Sequence, residues 1–173
     1  MTYQTYSTER GFTLMEMILV IFIISMLSTI VIAGLGSARE KARDDERVAD
    51  LAQLQLALEQ YYNACGRQYP QPGASDAINS AANDGCPGGS GITLASFIDV
   101  PNDPTNTGDY TYTYFVPDDP AYDYILRASF ETKHGALGSD VNDEEWSGYT
   151  SPPDPDCDDS TETTKPFSYC LKP

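Results

Sequence analysis

Residues 9–34 read ERGFTLMEMILVIFIISMLSTIVIAG, and the fold turns on why a glutamate, Glu16, stands at the head of so apolar a run. From Met17 to Leu35 there is no charged residue, and the only hydroxyls are Ser25, Ser28 and Thr29. A helix of that length spans the roughly 30 Å of hydrocarbon that a bilayer offers. An ionised side chain at such depth costs about 3 kcal/mol or more unless it reaches the interface or meets a cation. Glu16 therefore needs a partner.

Outward from this stretch, no proline interrupts the chain before Pro70. Beyond the apolar run, Val48, Leu51, Leu54, Leu58, Tyr61 and Tyr62 recur at intervals of three and four, one face of an amphipathic helix. The spacing predicts a single helix of about fifty residues, half lipid-soluble and half amphipathic. Gly34 and Gly36 are its weak point, each about 1 kcal/mol worse than alanine in a helix interior. A lipid-facing kink and a segment that melts when the helix changes environment fit them equally. Gly66 suits a left-handed cap and Pro70 forbids continuation. A loop rich in Gly, Ser, Asn and Ala runs on through Gly91, with one short helical turn from Ser75 and a second around LASFI at 94–98.

After residue 109 the period changes. YTYTYFV (110–116) and AYDYILRASFE (121–131) alternate, with PDDP as a turn between them, so two antiparallel strands are expected. Tyr110, Tyr112, Tyr114 and Val116 share one face of the first strand; Tyr122, Tyr124, Leu126 and Phe130 share one face of the second. Stacked tyrosines can form a platform for sugars or bases, but a small sheet burying itself against the helix is the commoner cause.

The chain carries 26 acidic and 10 basic residues, a net charge of −16. Such a surface repels phosphate, which argues against nucleic-acid binding by the head. Cys65, Cys86, Cys157 and Cys170 have no C-x-x-C spacing, and an even count beyond a membrane helix points to two disulfides in an oxidising space. The local pairs Cys65–Cys86 and Cys157–Cys170 are favoured among three possible connectivities. From His134 to Thr164 there are nine carboxylates and no lysine or arginine, and Pro152, Pro153 and Pro155 break up regular structure. Oxygen ligands recur at Asp140, Asn142, Asp143 and Glu144, and at Asp154, Asp156 and Asp158, a pattern that suits calcium but lacks the spacing and glycine of an EF-hand. Solvated surface charge is the stronger reading, and no other cofactor is expected. No nucleophile elbow, zinc-helix motif or phosphate-cradling loop occurs, and the one histidine, His134, lies in a polar turn, so no enzyme is expected.

A secretory signal fits poorly, because the apolar core is too long and the helix continues out of it without a cleavage site. The loop-charge rule conflicts with the cysteines. Arg10 precedes the span while Arg39, Lys41, Arg43 and Arg47 follow it, which by charge alone puts the C-terminal side in the cytoplasm.

RGFTLMEMILVIFIISMLSTIVIAGLGSAREKARDDERVADL resembles the N-terminus of type IV pilins and pseudopilins: a short polar leader, Arg-Gly, a phenylalanine, a glutamate and an apolar helix. YYNACGRQYP, VPNDPTNTG, YTYTY and YILRASFET are similar to the heads of pseudopilin-like bacterial pilins, while the acidic tail departs from them. The resemblance implies an α+β pilin fold in which the long N-terminal helix packs on a small antiparallel sheet. It divides the chain into a leader (1–11), a transmembrane or filament-core helix (12–36), an amphipathic helix half (37–65), a loop-and-sheet head (66–131) and an acidic, disulfide-clasped C-terminal region (132–173).

By the same resemblance, prepilin peptidase cuts after Gly11, and Phe12 becomes a methylated N-terminus with the head outside the cytoplasmic membrane. An assembly platform and its ATPase then draw the subunit from the membrane into a helical homo-oligomer. In that filament the new amine of Phe12 meets Glu16 of a neighbour, a pairing that selects register because a slipped subunit leaves both charges buried and alone. The function implied is an extracellular pilus for adhesion, twitching motility or DNA uptake. The alternative is the short piston of type II secretion, and from another class a membrane-tethered binding module that never polymerises.

Overall fold

The structure is a computed structural model that describes residues 11–71, 78–81, 85–86, 89, 91–116, 123–139, 157 and 166–173. Helix α1 runs Leu14–Ala64, 51 residues, and contributes to both compact units of the chain, Met1–Arg39 and Glu40–Pro173.

Among the described residues of the first unit, α1 has no packing partner. Leu14–Ile32, 19 residues, is long and apolar enough to cross a membrane and its side chains are exposed. Its hydroxyls are satisfied within the helix: Ser25 Oγ donates to Ile21 O (2.6 Å), Ser28 Oγ to Ile24 O (2.8 Å) and Thr29 Oγ1 to Ser25 O (3.0 Å). That local back-bonding removes the polar cost of placing them in hydrocarbon. Gly34 and Gly36 are helical, and a Cβ at either would meet nothing within 4 Å.

The second unit holds the core. α1 ends in a Schellman turn: Gly66 takes φ +70°, and Arg67 N–H donates to Tyr62 O at 3.0 Å. A short α2 (Ile78–Ala81) and a 3-10 turn (Leu94–Ser96) precede a three-stranded antiparallel sheet, β1 (Thr113–Phe115), β2 (Ile125–Phe130) and β3 (Phe167–Leu171), in the order β1-β2-β3. Register pairs Tyr114 with Leu126, Ala128 with Tyr169 and Phe130 with Phe167. One sheet face puts Tyr114, Leu126, Ala128, Phe130, Phe167 and Tyr169 into a core with Leu51, Leu54, Leu58 and Tyr61 of α1. The opposite face carries a smaller cluster of Phe115, Ile125, Cys157 and Cys170. Tyrosines 112, 114 and 124 are thus buried core residues rather than a ligand platform.

Two features differ from the expectation. The first strand is shorter, because Asn106 and Gly108 adopt positive φ (46° and 59°) and turn the chain so that Tyr110 bridges back to Thr107 instead of joining the ladder. A third strand lies beyond the two that the sequence predicts. It adds to the sheet from within the acidic, disulfide-clasped C-terminal region, using the alternating Phe167, Tyr169 and Leu171.

Candidate functional site

The predicted processing and assembly residues lie at the start of α1. Gly11 and Phe12 are exposed and non-helical, Phe12 with 75 % of its surface accessible. Thr13 caps the helix: its carbonyl accepts from Met17 N–H (3.3 Å) and its Oγ1 accepts from Glu16 N–H (3.2 Å). The Thr-x-x-Glu spacing of a capping box is the sequence signal for this role. Glu16 therefore occupies the first helical turn, where the positive end of the helix dipole favours a carboxylate, and its side chain is exposed. The helix begins two residues after the Gly11–Phe12 bond, leaving that bond outside it and exposed.

A second constellation ties the amphipathic half of α1 to the head. Arg47 is fully buried and uses all five of its N–H donors. Nε and Nη2 bind Asp103 Oδ2 and Oδ1 at 2.7 and 3.0 Å, Nη2 also reaches Thr105 Oγ1 at 3.0 Å, and Nη1 binds Asp44 Oδ1 at 2.7 Å and Glu131 Oε1 at 3.0 Å. The Tyr110 ring covers the guanidinium, 5.0 Å from its carbon to the ring centroid. Asp44, also fully buried, accepts from Glu131 N–H (2.9 Å), Thr132 N–H (2.9 Å) and Thr132 Oγ1 (2.6 Å), so it closes off the end of β2. Arg43 adds a two-pronged bond to Glu131 through Nε at 2.6 Å and Nη2 at 2.5 Å.

These pairings decide the charge states. Burial by itself would push the Arg47 guanidinium down, but Asp103, then Glu131 and Asp44, outweigh it and hold the group above its ordinary range. Burial pushes the Asp103 carboxyl up, and the Arg47 bond with the backbone N–H groups of Thr105 and Asn106 brings it below its ordinary value. The bond from Arg43, helped by Arg47 and opposed by burial, pulls Glu131 down to about 2. Three phenols are pushed up, chiefly by burial: Tyr112, which donates to Asp50 at 2.7 Å, Tyr69, which donates to Glu59 at 2.8 Å, and Tyr124. The network is chemically saturated, which suits a structural tie and offers no free group for catalysis.

Cys65 is bonded to Cys86, joining the end of α1 to the loop, and Cys157 to Cys170 on β3. Rather than standing alone, His134 places Nε2 2.9 Å from Asp45 Oδ1 and accepts Ala136 N–H at Nδ1 (3.2 Å). The calcium candidates Asp140, Asn142, Asp143, Glu144, Asp154, Asp156 and Asp158 lie outside the described residues. The sequence offered no sign of the Arg47 network beyond a run of alternating charges at 39–47, because its partners sit 56 and 84 residues away.

The profile of the prokaryotic N-terminal methylation motif matches residues 6–32. The type II secretion system core protein G of Escherichia coli is 32 % identical over 132 residues, covering 74 % of this chain and 77 % of that protein. The proteins of the same description from Pectobacterium carotovorum subsp. carotovorum and Klebsiella pneumoniae are 40 % and 42 % identical over 53 residues each, 31 % of this chain and 34 % and 38 % of theirs. No solved structure matches at a significant level.

Proposed function

Given that the chain belongs to the pilin-like family of the type II secretion system core protein G, we propose that it is a pseudopilin, a structural subunit that polymerises into the short filament of a secretion piston. The extent of the similarity carries this reading. A match of 132 residues is longer than everything up to Ala64, so it reaches beyond the N-terminal segment, common to pilins of every kind, into the head. The expectation of a displayed pilus for adhesion, motility or DNA uptake gives way to its alternative on that ground.

The chemistry follows from the start of α1. Prepilin peptidase removes residues 1–11 at the exposed, non-helical Gly11–Phe12 bond, and the new Phe12 amine is a cation next to an apolar helix. Among the described residues the Glu16 carboxylate has no ion-pair partner. In a bundle of such helices the neighbour's amine satisfies it, and any other register strands both charges in an apolar medium. The assembly platform and its ATPase supply the work of extraction. The apolar face exchanges lipid for helix packing, with little net change in burial.

The test is paired. Mass spectrometry of the envelope fraction is expected to show a chain that begins at a methylated Phe12, and deletion of the gene is expected to trap secreted proteins inside the outer envelope. Intact secretion in the deletion strain, together with loss of surface fibres, would return the protein to the pilus class. A chain that keeps residues 1–11 would remove it from both.

A further inference from the structure

We infer that Arg39 and Lys41 form a cationic collar that binds phospholipid headgroup phosphates where α1 leaves the bilayer. The four cations after the span contradict the loop-charge rule, and the structure separates them into two kinds. Arg43 and Arg47 are consumed by the head, on Glu131, Asp103 and Asp44. Their positive charge serves folding. Arg39 and Lys41 are exposed and have no ion-pair partner among the described residues.

Position along the helix suits phosphate. The span ends at Ile32, seven residues before Arg39, which is about 10 Å of rise. Helical side chains lean toward the N-terminus, here back toward the bilayer, and long cationic ones extend to the interface. The headgroup layer adds roughly 5–8 Å on each side of the hydrocarbon, within that reach. Orientation around the axis selects the partner. Two residues apart on a helix means about 200° of rotation, so the two cations face nearly opposite ways. A protein docked on one side meets only one of them, whereas a plane of headgroups encircles the helix and meets both. The two cations also offset the repulsion between a chain of net charge −16 and an anionic leaflet. The collar thus sets the depth of the subunit before extraction, and pulling it into a filament must break these contacts.

The inference rests on the membrane-span reading and not on polymerisation. The test uses the full chain, labelled with nitrogen-15 in Arg and Lys side chains, in phosphatidylcholine–phosphatidylglycerol vesicles in phosphate-free buffer. Solid-state dipolar dephasing of side-chain nitrogen by lipid phosphorus is expected for one guanidinium and one ammonium signal. Arg39→Gln is expected to abolish the first and Lys41→Gln the second. Absence of dephasing, or dephasing that survives the double variant, overturns the collar. So does a cross-link from Lys41 to a carboxylate of a second copy in place of dephasing. Flotation of the vesicles after an alkaline wash keeps the two readings apart: protein that floats without dephasing defeats the collar alone, and protein that fails to float defeats the span reading and the collar with it.

Discussion

The two halves of α1 solve the problem of charge and polarity in opposite ways. Up to Arg39 the helix satisfies its polar groups one turn away, Ser25, Ser28 and Thr29 each on its own backbone, and leaves its apolar surface open. From Glu40 onward it reaches across the chain, and Arg47 alone links residues 56 and 84 positions distant. The first half is built to be completed by something outside the molecule, lipid or other helices. The second is complete by itself. One continuous helix thus serves as an interface at one end and as the spine of a folded head at the other.

This contrast can be broken at either end, and the effects should differ in kind. The largest is expected at Glu16: Glu16→Ala should leave processing, membrane insertion and head stability unchanged but abolish filaments, scored by electron microscopy of sheared envelopes and by the melting temperature of the purified chain. Filaments of normal abundance would show that no charge pairing across subunits is needed. Next comes Arg47→Met, which strands Asp44 and Asp103 in the core and should cost the head about 3–5 kcal/mol in a denaturant titration. A smaller loss, about 3 kcal/mol, is expected when Cys157 and Cys170 are both replaced by serine, since the crosslink closes a loop of 13 residues in the unfolded chain.

The smallest effect sharpens the comparison by pH. Glu131 has a folded pKa below its ordinary value of 4.5, so the unfolded chain binds more protons between about 2 and 4.5. Its contribution is therefore complete above the unfolded value and drains away as the pH falls toward 2, with Asp103 acting in the same direction. After allowance for solvent screening this amounts to about 1–2 kcal/mol, and Glu131→Gln should flatten that part of the stability profile, measured by denaturant midpoint against pH.

What could be read in advance follows the range of the forces involved. The helix, its left-handed end at Gly66 and the inward tyrosines 112, 114 and 124 in and beside the first two strands rest on local propensity and on periods of 3.6 and 2. The pairing of the tail with β2 did not show, although Phe167, Tyr169 and Leu171 alternate, because the nine carboxylates before it outweighed a five-residue pattern. Arg43 and Arg47 looked no different from Arg39 and Lys41. A guanidinium on a helix declares itself surface or core only once the loop bearing Asp103 and the end of β2 bearing Glu131 have been folded against it.

The sequence by itself determined that an apolar helix of membrane-spanning length begins beside the Gly11–Phe12 bond and carries one acid, Glu16, because those properties depend only on neighbours within a few residues. The tertiary structure alone decided that Arg43 and Arg47 hold the head together while Arg39 and Lys41 have no ion-pair partner among the described residues. That division depends on contacts closed over tens of residues, where burial turns an ordinary ion pair into a tie that cannot be half broken.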